Sequence, residues 1–135
     1  AQDVDAKIAD KAIKSVGAKA TVDEVCKAGD KGYVITTTDK EGYGGDIQIT
    51  VGITSDGTVN GISILSISET AGLGMKAKEP KFYNQYKGKK AEKFVVSKDG
   101  GDGEQIDAIS GATITSSAVT SAVNAGLAYY RSLAQ

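Results

Sequence analysis

The chain has no histidine and no tryptophan, and only one cysteine, one methionine and one proline among its 135 residues. Each absence removes a chemistry. Without histidine there is no Ser-His-Asp or Cys-His dyad, no zinc site built on imidazole, and no side chain that ordinarily titrates near neutral pH. A lone cysteine forms no internal bridge, and Cys26 reads by default as a small buried hydrophobe. A net charge of −1 offers no bulk attraction to a polyanion, which argues against nucleic acid as a partner. Redox or group-transfer work by such a chain requires a borrowed cofactor.

The remaining composition is that of an ordinary globular protein, 40% hydrophobic and 24% charged. A chain of 13.9 kDa buries roughly two thirds of its unfolded surface, enough for one core, so residues 1–135 are expected to form a single domain. Charge is uneven along it: residues 1–75 carry −4, residues 76–98 carry +6, and residues 99–135 carry −3. The basic patch of Lys76, Lys78, Lys81, Lys87, Lys89, Lys90, Lys93 and Lys98 is either a solvated lysine face or a docking surface for an anionic partner. Residues 108–130 are uncharged, but their many Ser, Thr, Asn and Gly positions make them too weakly apolar to cross a membrane.

Hydrophobic spacing organises the chain. Val4, Ile8, Ala12, Ile13 and Val16 recur at helical intervals before Gly17 and predict a short amphipathic helix. The run from Tyr33 to Thr38 predicts a strand, and Gly42-Tyr43-Gly44-Gly45 interrupts it. Ile47, Ile49, Val51 and Ile53 alternate with polar residues, Ser55-Asp56-Gly57-Thr58 turns the chain, and a second strand runs from Val59 to Ile67. Pro80 to Tyr86 suggests one or two helical turns, Phe94-Val95-Val96 a further strand, and Asp99 to Glu104 a hairpin turn. Val119, Val123, Leu127 and Tyr130 predict a C-terminal helix. The expected fold is α+β, an antiparallel sheet with an N-terminal and a C-terminal helix packed against it.

The glycine-rich segments match no standard nucleotide fingerprint. Gly42 to Ile47 fails G-x-G-x-x-G at its last position and precedes a strand, and the Asp99 to Glu104 loop lacks the alternating oxygen ligands of a calcium loop; no metal site is expected. Ser110-Gly111-Ala112-Thr113-Ile114-Thr115-Ser116-Ser117 stands apart. It crowds five hydroxyls into eight residues just before an apolar-periodic helix. Such a segment either caps the helix or holds an anion such as a phosphate at its N-terminus.

Asp107-Ala108-Ile109-Ser110-Gly111-Ala112-Thr113, with Thr115-Ser116, resembles the flavinylation motif of FMN-binding domains in the G subunit of the Rnf complex and the C subunit of sodium-pumping NADH:quinone oxidoreductase. Gly42-Tyr43-Gly44-Gly45, Val51-Gly52-Ile53 with Asp56-Gly57, and Glu69-Thr70-Ala71-Gly72-Leu73-Gly74 resemble that family's blocks in the same order, from about Gly32 to Tyr130. The Glu69 to Gly74 block makes the Rnf G subunit the nearer relative. The chain departs from the family at Ala71, where proline is usual, and lacks the histidine often found shortly before the glutamate, so the rigidity and polarity of that loop differ.

The resemblance implies an electron-transfer domain to whose Thr113 hydroxyl a flavin transferase joins FMN through the phosphate. Ser110, Gly111, Ala112 and Thr115 would line the phosphate. Glu69, Thr70, Gly72, Leu73 and Gly74 would meet the isoalloxazine, with Leu73 against a ring face and Thr70 near its polar edge. Lys76, beside this loop, would favour the anionic reduced flavin and raise its potential. Family members sit on the extracytoplasmic face of the cytoplasmic membrane behind an N-terminal transmembrane helix, as redox subunits of an ion-translocating complex and not complete catalysts alone. This chain, which begins at Ala1 and not Met, would be the soluble portion. The alternatives are a flavinylated relay of an extracellular reductase system and a non-redox module that binds a phosphorylated ligand.

Overall fold

A computed structural model of the chain describes residues 6–15, 20–27, 31–39, 47–67, 83–89, 94–96, 104–106 and 113–134. Helix α1 (Ala6–Ser15) is followed by strands β1 (Ala20–Lys27), β2 (Gly32–Asp39), β3 (Ile47–Thr54) and β4 (Val59–Ile67). A 3-10 turn (Asn84–Tyr86), the short strands β5 (Phe94–Val96) and β6 (Glu104–Ile106) and helix α2 (Thr113–Ala134) come after. Strands β1 to β4 form an antiparallel meander in sequence order, so the expected α+β architecture with an antiparallel sheet is found.

The alternation read from β3 is realised residue by residue: Ile47, Ile49, Val51 and Ile53 point into the core, and Gln48, Thr50, Gly52 and Thr54 face outward. In β2, Ile35, Thr37 and Asp39 are buried. Helix α2 covers this inner face with Val119, Ala122, Val123, Leu127 and Tyr130, all in one buried cluster with the strand residues. Helix α1 packs on α2 and β1, where Ile13, Ala20 and Ala125 form a smaller cluster.

Strand β1 has no counterpart in the sequence reading, because Asp23, Glu24 and Lys27 obscure its pattern and a bulge changes its phase. Val22 pairs with Thr37 and Glu24 with Thr36, which leaves Asp23 as the extra residue. Before the bulge Ala20 faces inward, and after it Val25 does. Asp23 turns outward and accepts hydrogen bonds from Thr38 Oγ1, from Gln48 Nε2 at 3.2 Å and from Thr21 Oγ1 at 3.1 Å. A one-residue insertion thus rejoins two half-strands of opposite phase.

Two other expectations are corrected. Cys26 is not a buried hydrophobe: it is half-buried, and its thiol donates to Glu24 Oε1 at 3.4 Å. The hairpin expected at residues 99–104 does not join β5 to β6, because the two pair in parallel and Glu104 already belongs to β6, while residues 99–103 lie outside the described set. Parallel neighbours require a return crossing that a tight turn cannot provide.

Gly126 sets the distance between helix and sheet. A Cβ there would lie 2.6 Å from Val51 Cγ1, 3.7 Å from Thr37 Cγ2 and 3.8 Å from Ile35 Cγ2. Val51 is fully buried and branched at Cβ, which restricts the rotamers into which it could retreat. Gly126→Ala gains about 1 kcal/mol of helix propensity and sets it against about 1–3 kcal/mol of overpacking. The variant is expected to unfold at lower urea concentration with an unchanged m-value, and Gly126→Ala/Val51→Ala to lose less than the sum of the two single changes.

Candidate functional site

The described residues that flank two of the glycine-rich segments lie at one end of the sheet. Ala20 pairs with Asp39, Asp39 with Ile47, and Ile47 with Ile67, so these four residues form a single row across the sheet. Segments 40–46 and 68–82 both depart from this row. Helix α2 runs towards it in the direction of its own N-terminus: Tyr130 donates to the Ser55 carbonyl at 3.0 Å and meets Tyr33 edge-on at the far end, whereas Ala122 accepts from Thr37 Oγ1 at 2.9 Å. From Ala122 back to Thr113 the helix rises about 13 Å, and from Thr37 to Asp39 the strand advances about 7 Å. The N-terminal half of α2 therefore runs towards the end of the sheet from which the two segments leave.

Thr113 is the first residue of α2 and Thr115 the third, and both side chains lie outside the described set. Glu69, Thr70, Gly72, Leu73, Gly74, Lys76, Ser110, Gly111 and Ala112 lie outside the described residues, as do Gly42 to Gly45. Of their described flanks, Asp39, Ile47 and Ile67 share one row of the sheet, and Thr113 opens the helix that runs towards it. Helix α2 has no acidic residue in its first turn, so the positive end of its dipole is not offset by a carboxylate of its own.

Behind this helix start lies a buried polar stripe that no motif reveals. Ser116, Thr120 and Asn124 recur every four residues and are only 0%, 4% and 5% exposed. Thr120 Oγ1 donates to the Ser116 carbonyl at 2.8 Å and lies 2.7 Å from the Tyr86 hydroxyl. Since the threonine proton is already committed, Tyr86 is the donor of that pair. Asn124 accepts from the Phe94 N–H at 2.7 Å and donates to the Phe94 carbonyl at 2.8 Å, pairing with β5 as a neighbouring strand would. Tyr86 and Phe94 also pack edge-on, with ring centroids 5.0 Å apart. The four-residue spacing of hydroxyl and amide groups beside Val119, Val123 and Leu127 is the sequence feature that marks this stripe. Among the described residues every buried side-chain polar atom has a partner. Among those same residues, no group of three or more acidic or cysteine side chains is placed to hold a metal, and no helix is long and apolar enough to cross a membrane.

The FMN-binding domain family model matches residues 42–128. The G subunit of the Na(+)-translocating ferredoxin:NAD(+) oxidoreductase complex of Acetobacterium woodii is 41% identical over 109 residues, covering 77% of this chain and 51% of that protein. The G subunit of the proton-translocating ferredoxin:NAD(+) oxidoreductase complex of Clostridium ljungdahlii is 47% identical over 91 residues, 67% of this chain and 49% of that one. The crystal structure of Shewanella oneidensis NqrC superposes with a TM-score of 0.59 at 26% identity, over 76% of this chain and 52% of that chain. The chain thus spans about half the length of the relatives it matches.

Burial pushes the Tyr86 phenol far above the ordinary tyrosine value of about 10, and the Thr120 hydrogen bond only partly opposes this. A folded-state pKa above the unfolded one contributes stability that is complete below the unfolded value and is lost as pH rises beyond it. Tyr86→Phe is expected to be less stable than the parent by about 1 kcal/mol near neutrality. That gap should narrow above about pH 10, where only the parent must keep a buried phenol protonated, as denaturant unfolding at a series of pH values will read.

Proposed function

Because the chain belongs to the FMN-binding domain family, we propose that it is an electron-relay domain of an Rnf-type ion-translocating oxidoreductase, with FMN esterified through its phosphate to Thr113. The observation that carries this reading is the position of Thr113 as the first residue of a 22-residue helix whose first turn is free of acidic side chains. Unpaired N–H groups and the positive end of the dipole at such a start favour the single negative charge that a phosphodiester retains. Esterification exchanges the phosphoanhydride P–O bond of a flavin dinucleotide for a P–O bond to the threonine oxygen. Nucleoside monophosphate leaves with the electron pair, and the hydroxyl proton passes to a base.

Ser110, Gly111, Ala112 and Thr115 are the neighbours assigned to the phosphate, and Glu69, Thr70, Gly72, Leu73 and Gly74 those assigned to the ring. The second group follows closely in sequence on Ile67, at the sheet end described above, and the first adjoins the start of α2, which runs towards that end; this supports assigning them to one ligand. The bound flavin supplies the electron-carrying ring, and the chain supplies tether, orientation and electrostatic tuning. Electron hopping requires no general acid or base, in keeping with a chain that has no histidine. The same reading gives the domain other subunits of a membrane redox complex as electron partners and a flavin transferase as its maturation partner. It also puts the domain on the extracytoplasmic face of the membrane.

Intact mass measurement tests the attachment. Protein produced with a flavin transferase should gain the mass of FMN less one water and stay yellow after denaturation and dialysis. Thr113→Val should do neither, and flavin retained by that variant would overturn the assignment. In the loaded protein, Lys76→Ala is expected to lower the flavin midpoint potential relative to the parent, because removing a nearby cation disfavours the anionic reduced form.

A further inference from the structure

Tyr86 belongs to the turn that follows segment 68–82, and its hydroxyl reaches across to α2. Its backbone is fixed on the other side: Gly88 N–H donates to the Val59 carbonyl at 2.7 Å, and Val59 N–H donates to the Lys89 carbonyl at 2.8 Å, which ties the turn to the start of β4. The ring is fully buried against Phe94, whose backbone is held by Asn124. The phenol is thus a fixed point, and it donates to Thr120 at 2.7 Å. Thr120 in turn holds the carbonyl of Ser116, one turn closer to the helix start. Thr113 lies two turns ahead of Thr120, about 10 Å along a rigid rod.

We propose that Tyr86 and Thr120 are positioning residues that set the start of α2 for attachment of the flavin phosphate, an inference that rests on Thr113 as the attachment point. Apolar packing fixes how closely a helix lies on a sheet, but a hydrogen bond of defined direction fixes how far the helix slides and turns. A bond this close to the helix start governs where Thr113 is presented, whereas one at the far end of the same helix governs only stability. The molecule supplies that comparison itself, since Tyr130 donates from the other end of α2 to the Ser55 carbonyl at 3.0 Å. Both tyrosines can lose the hydroxyl alone.

The experiment measures the initial rate of flavin incorporation by the transferase, with flavin adenine dinucleotide as donor and intact mass as readout, at a temperature where every variant is folded. Tyr86→Phe and Thr120→Val are expected to slow incorporation on the order of fivefold, the effect of one lost buried hydrogen bond. Thr120→Ser, which keeps the hydroxyl, should restore it, and Tyr130→Phe should match the parent. Equal slowing by Tyr86→Phe and Tyr130→Phe, or parent-like rates in both Tyr86→Phe and Thr120→Val, would overturn the proposal while leaving Thr113 as the attachment point. Incorporation into Thr113→Val would overturn that attachment point and the proposal with it. Should Tyr86→Phe fail to fold, the Thr120→Ser and Thr120→Val pair decides alone.

Discussion

The contact between Gly126 and Val51 is the constraint on which the rest of the structure depends. A four-stranded meander with one apolar face needs a cover, and α2 provides it only if its backbone comes close enough for Ile35, Thr37 and Val51 to pack against a glycine. With that distance set, Ala122, Val123 and Leu127 fall into the inner-face cluster. Helix α1 then finds its place against α2 and the outer strand β1, so the N-terminal helix depends on a spacing fixed more than a hundred residues later.

Close packing alone leaves a helix free to settle in several nearly equivalent positions, because aliphatic contacts have little direction. The polar groups of α2 remove that freedom. Thr37 holds Ala122, Asn124 holds both backbone groups of Phe94, Tyr86 holds Thr120, and Tyr130 holds Ser55. These contacts are spread along the helix and reach four different parts of the chain. None is expected to add much net stability, since each replaces bonds to water, but leaving any one unmade in a dry interior is costly. The helix is therefore positioned by the penalty attached to every wrong arrangement.

Much of this fold can be read from the residues. Alternation in β3, the Asp56-Gly57 turn and the four-residue steps of α2 are local patterns, and each appears where its period predicts. Strand β1 fails the same reading because its bulge at Asp23 changes phase midway, and a pattern that reverses within eight residues looks like none. The parallel pairing of β5 and β6 is equally hidden, since three-residue strands carry no information about direction. At the candidate site the hydroxyl-rich segment that leads into and opens α2 is visible in sequence through its composition and its likeness to a known motif. Tyr86 and Asn124 are not, because their importance arises from partners thirty or more residues away.

The order of elements also has a temporal meaning. Strands β1 to β4 precede, along the chain, the helix that covers their apolar face. During synthesis, which proceeds at about 5–20 residues per second, the sheet residues emerge seconds before Leu127 and must wait uncovered. Pairing within the meander is local and can form early, but its inner face stays wet until α2 arrives. Thr113 sits at the leading end of that last helix, so it emerges before the turns that anchor it. On the reading proposed above, a modifying enzyme that requires the finished helix start would act only after the later turns of α2 have been made and packed.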